Sequence, residues 1–139
     1  MSETNEANNN HPASGQQSFN FINADALDVV IVPVAYQRNS SGSTYYPNMS
    51  DWSYLTWMPM QALPVSTINY SIHSTVSFTG DLSSGGGWSS LIQQIEAIHA
   101  SEDPGRNKIY YGVFNCWNAP GSCAYAGLGY LGWPTSIGW

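Results

Sequence analysis

The sequence predicts an α/β domain, a mixed twisted sheet of about four to five strands layered with two helices. Three observations predict it. The β-branched run at 27–36 has strand length and is apolar on both faces, as a doubly covered central strand is. Residues 65–78 alternate apolar and polar with a period of two. From Trp88 to Ile98 the apolar residues recur at helical spacing.

The elements follow in order. Residues 1–20 are Asn, Gln, Ser and Glu with little apolar content and read as a disordered tail or linker, leaving 21–139 as the domain. Pro33 interrupts the first strand, because proline cannot donate to a ladder, so the strand should end or bulge there. A loop follows, and Ser50 or Asp51 could cap a short helix carrying Trp52, Leu55 and Met58, limited by Pro59 and Pro64. In the alternating stretch, Ile68, Tyr70, Ile72, Ser74, Val76 and Phe78 are expected on one face. Gly80 to Gly87 reads as a flexible turn before the long helix, which Pro104 and Gly105 end. A strand is expected over 108–115, and a glycine-studded extended segment over 124–132.

Composition excludes several function classes. Three basic residues stand against nine acidic ones, and a net charge of −6 repels phosphate backbones, so no nucleic-acid partner is expected. No polybasic membrane-binding segment occurs, and no run approaches the roughly 18 apolar residues that span a bilayer. The first ten residues are polar and acidic, unlike a signal peptide. Abundant Ser, Asn, Gly, Tyr and Trp with few Lys and Glu suggests an extracellular or cell-surface protein. Cys116 and Cys123 flank a loop of turn-forming residues that can bring them into disulfide range. Two buried free thiols are the other reading, and a zinc site from this pair alone lacks the usual short spacing.

Candidate chemistry is sparse. Asp25, Asp28, Asp51 and Asp81 fall on different elements, so no paired acid and base is fixed. No Gly-x-Ser-x-Gly elbow occurs. The glycines at 85–87 lack the lysine of a phosphate loop and read as a hinge. His73 falls on a polar strand face, and His99 reads as a surface residue able to neutralise the helix C-terminus. Asn39, Asn48 and Asn69 match the glycosylation acceptor pattern, as chance alone would allow in so Asn- and Ser-rich a chain.

Taken in order, three segments resemble the zincin-type zinc metallopeptidases, in particular their metzincin or reprolysin-like bacterial branch. They are the strand 29–34, the helix running into Ile109–Val113, and Gly127, Leu128, Gly129, Tyr130, Leu131 and Gly132 followed by Ser136, Ile137 and Gly138. The resemblance covers about 25–139, and Gly129 stands where the family pattern usually has Ala. It implies that 127–132 is an edge strand that binds an extended peptide substrate through its main chain. The family's chemistry needs two His one helical turn apart with a Glu between them. His11, His73 and His99 form no such motif, so this chain is expected to supply no catalytic residue and no metal ligand. Zinc is expected only in a full-length parent, whose zinc-binding helix would follow Trp139. An isolated front half is expected to show low stability or to self-associate through its unfinished surface. The alternative is a complete non-catalytic extracellular module that binds carbohydrate or protein through Trp117, Trp133 and Trp139.

Overall fold

A computed structural model describes residues 25–40, 42–50, 65–116 and 123–139. It is a mixed α/β arrangement of a six-stranded sheet and one described helix. The strands are β1 (Leu27–Gln37), β2 (Ile68–Ile72), β3 (Val76–Thr79), β4 (Ile109–Val113), β5 (Gly127–Gly129) and β6 (Thr135–Gly138). The helix α1 (Gly85–Glu102) lies between β3 and β4. The order across the sheet is β2-β1-β4-β6-β5, with β3 also paired to β1. All pairings are parallel except β5 with β6. The tail at 1–20 and the first expected helix fall outside the described residues.

β1 does not end at Pro33, and the bulge lies in its partner. Backbone bonds from Leu27, to Ile31 and to Gln37 show that odd residues of β1 bond toward β2 and β3. Pro33 therefore aims its missing donor at that side. There the registers step from Ile31↔Ile72 to Val34↔Val76, so residues 73–75 carry one extra position. The ladder is open where proline has nothing to give.

That extra residue changes which face the next strand serves. Ile68, Tyr70 and Ile72 stand beside Leu27, Val29 and Ile31, on the face away from α1. Val76 and Phe78 stand beside Val34 and Tyr36, on the α1 face. The expected single apolar face over 68–78 is corrected: a one-residue bulge reverses the alternation. Phe78 stacks on Tyr36, and Ile72 is left exposed.

α1 buries Trp88, Leu91, Ile92 and Ile95 against Val30, Val32, Val34, Tyr110, Phe114 and Ile137. Gly112 permits this approach, since a Cβ there would sit 2.8 Å from Ile95 Cγ1 and 2.9 Å from Ile137 Cγ2. The helix begins three residues earlier than its apolar pattern, at Gly85. The glycines are thus its first turn and not a free hinge. Gly87 lies against the Asp81 carbonyl, where any side chain would collide. Trp88 Nε1 donates to the Leu82 carbonyl, closing the turn beneath the helix.

Candidate functional site: the β5 edge and its support

β5 and β6 form a hairpin at one end of the sheet. Among the described residues no strand lies beyond β5. The pairs are Gly127↔Gly138, Leu128↔Ile137 and Gly129↔Ser136. Tyr130 N donates to Thr135 O, and Trp139 N donates to Ala126 O. These bonds fix the phase of the ladder: residues 126, 128 and 130 bond inward to β6. Gly127 and Gly129 consequently turn their N–H and C=O groups outward from the sheet. Leu128 packs into the core on the α1 face, so the bare Cα positions of both glycines belong to the opposite face.

The predicted edge segment divides into two parts. Gly127, Leu128 and Gly129 are strand, while Tyr130, Leu131 and Gly132 enter a tight turn closed by Trp133 N on Tyr130 O. Gly132 has φ +75°, the left-handed conformation that a third turn position demands and glycine supplies. Leu131 at the tip is 100% exposed, and Tyr130 and Trp133 are exposed beside it. With Glu96 they line a shallow groove of about 330 Å³.

A buried polar chain holds this hairpin to α1. The Thr135 hydroxyl donates to Glu96 Oε2, and His99 Nδ1 lies 2.8 Å from the same hydroxyl oxygen. Since a carboxylate only accepts, the Thr135 proton goes to Glu96 and His99 Nδ1–H donates to Thr135. Arg106 bonds the other Glu96 oxygen and lies over the Trp133 ring, 3.9 Å from its centroid. Burial would raise the Glu96 pKa, but bonds from Arg106 and Thr135 outweigh it and hold the carboxyl below its usual value.

His99 is the residue the sequence misplaced. It is fully buried, stacked on Tyr110 at 4.5 Å, with Nε2 3.6 Å from Asp103 Oδ2. The signal was present: His99 lies four positions after Ile95, on the apolar stripe, while Ile98 lies at its margin. Asp103 then accepts from the Lys108 amide and fixes the turn into β4. His73 sits in the bulge and is hydrogen-bonded, with Nε2 2.9 Å from Glu102 Oε1. Glu102 also accepts from the Tyr110 hydroxyl.

Cys116 and Cys123 form a disulfide with Cα atoms 6.2 Å apart. Cys116 is buried in the core, so the bridge anchors the approach to β5. Trp117 lies outside the described residues. Trp139 Nε1 donates to the Tyr125 carbonyl, fastening the end of β6 beside the start of β5. Among the described residues no group of three His, Cys, Asp or Glu could hold a metal ion. No described helix is long and apolar enough to cross a membrane. Compared with known proteins, the chain matches no family model, no curated sequence and no solved structure.

Proposed function

We propose that β5 aligns an extended peptide by strand addition, as the substrate-aligning portion of a zinc metalloendopeptidase-like domain. The observation that carries this reading is the outward main chain of Gly127 and Gly129 on an antiparallel edge that no described strand covers. Support comes from the strand order, in which a short parallel strand, β6, separates that edge from the rest of the sheet. The described residues do not fit zinc: His73 and His99 are engaged with Glu102 and Thr135. No hydrolytic step is assigned to this chain. Zinc and general base belong, in this reading, to sequence beyond Trp139. The disulfide suits a secreted or surface setting.

Amide NMR during titration with a capped peptide alternating Thr and Val tests the edge. The Gly127 and Gly129 amides should shift while the Leu128 amide stays protected. Gly129→Pro, which deletes an outward donor and no inner ladder bond, should abolish binding. Titration that leaves both glycine amides unmoved refutes the reading. The parent-enzyme element is tested separately by the coding sequence past Trp139. A His-Glu-x-x-His motif there supports it, and a natural stop codon there ends it.

A second reading has its own observation. Tyr125, Tyr130, Trp133 and Trp139 are all exposed on one stretch of chain, as in modules that stack sugar rings. One face of Trp133 is already taken by Arg106. Quenching of tryptophan fluorescence by soluble oligosaccharides, lost in Trp133→Ala, would favour this module over a peptide-binding edge.

A further inference from the structure

On the face of β5 and β6 away from α1, three of the four paired positions at the rim are glycine. Gly129 stands beside Ser136, and Gly127 stands beside Gly138. Among the described residues, a Cβ on Gly129 would meet Ser136 Cβ at 3.4 Å and Thr135 O at 3.9 Å and nothing nearer, so these residues leave room above the glycine. The Tyr111 hydroxyl lies over Gly138 and forms the inner wall of the ledge. Residues 123–139 carry no Asp, Glu, Lys or Arg, so the edge has none of the charges that usually deter a pairing strand. Its exposed side chains, Tyr125, Tyr130, Leu131, Trp133 and Trp139, are apolar or aromatic.

Resting on the peptide-edge reading, we propose that β5 selects extended, uncharged peptides with an aromatic side chain opposite Gly129, the ring lying across the bare glycine toward Ser136. A strand added beyond β5 would exchange main-chain bonds with Gly127 and Gly129, because these two residues point outward. Its residue opposite Gly129 places its side chain on the same face as the missing glycine side chain. An aromatic ring there covers backbone that water otherwise wets, as cross-strand rings do over edge glycines. A small residue opposite Gly129 leaves the ledge hydrated and gains only the main-chain bonds. Residues 123–139 carry no charge of their own, and Glu96 and Arg106 beside Trp133 are already paired with each other, so the described rim disfavours desolvating a charged side chain.

The test compares two capped peptides, one alternating Thr and Tyr and the other alternating Thr and Ala, by anisotropy and by glycine amide shifts. The Tyr peptide should bind about fivefold more tightly. Gly129→Val, which keeps the outward N–H and fills the ledge, should bring the two affinities together. Equal affinity with both peptides shifting the Gly127 and Gly129 amides overturns the aromatic preference and leaves the edge reading standing. No shift with either peptide overturns both. Concentration-dependent shifts of those amides without peptide would make a second copy of this chain the occupant and overturn the peptide proposal.

Discussion

His99 and Thr135 are joined by a 2.8 Å hydrogen bond that crosses from the last turns of α1 to the first residue of β6. Both residues are buried, at 0% and 1% exposure. The Thr135 hydroxyl is the middle of a relay, receiving from His99 and giving to Glu96. Thr135→Val keeps the shape and removes both bonds. It strands a buried imidazole N–H and should cost about 1–3 kcal/mol, read by thermal or urea unfolding. Thr135→Ser should retain most of that stability.

Gly112 sets the distance between α1 and the sheet. Gly112→Ala places a methyl group against Ile95 and Ile137 and should destabilise by about 1–3 kcal/mol in urea unfolding. Ile95→Val in the same chain should recover part of the loss, because it removes Ile95 Cδ1, which would lie 3.1 Å from the new methyl.

Acid should loosen the hairpin. Glu96 and Glu102 both have folded-state pKa values below their usual ones, Glu102 chiefly through His73. A lowered carboxyl pKa contributes stability above the unfolded value, roughly 4.3, and that stability is lost as pH falls through the folded value. The melting temperature should therefore decline below about pH 5. Glu96→Gln should lower stability at neutral pH and flatten the decline.

Reducing the Cys116–Cys123 bridge frees a short loop. Chain entropy assigns such a loop about 2.5 kcal/mol. The double variant Cys116→Ala, Cys123→Ala should lose stability of that order in denaturant midpoint. Added thiol should reproduce the loss in the parent chain and leave the variant unchanged.

Much of the sheet was legible because burial writes itself as repetition. The doubly apolar run at 29–34 marked the central strand, and Leu91, Ile92 and Ile95 marked the helix face. What escaped depends on single residues whose neighbours are distant in sequence. Nothing in the alternation at 68–78 announces the extra residue at the bulge, since either phase reads as apolar and polar in turn. His99 was set aside by residue type although its position was apolar. Gly127 and Gly129 could be named from sequence, but the outward aim of their backbones depends on the ladder phase that Tyr130 and Thr135 fix.

β1 pairs on one side with β2 and β3 and on the other with β4, and Val29 meets Ile109 only 80 residues later in the chain. At synthesis rates of about 5–20 residues per second, the most apolar segment waits roughly 4–16 seconds for that neighbour. During that interval one edge of its backbone lacks the strand that will pair with it. Folding of this sheet is therefore closed late, by a distant strand, and a newborn chain has greatest need of a holding chaperone before β4 emerges.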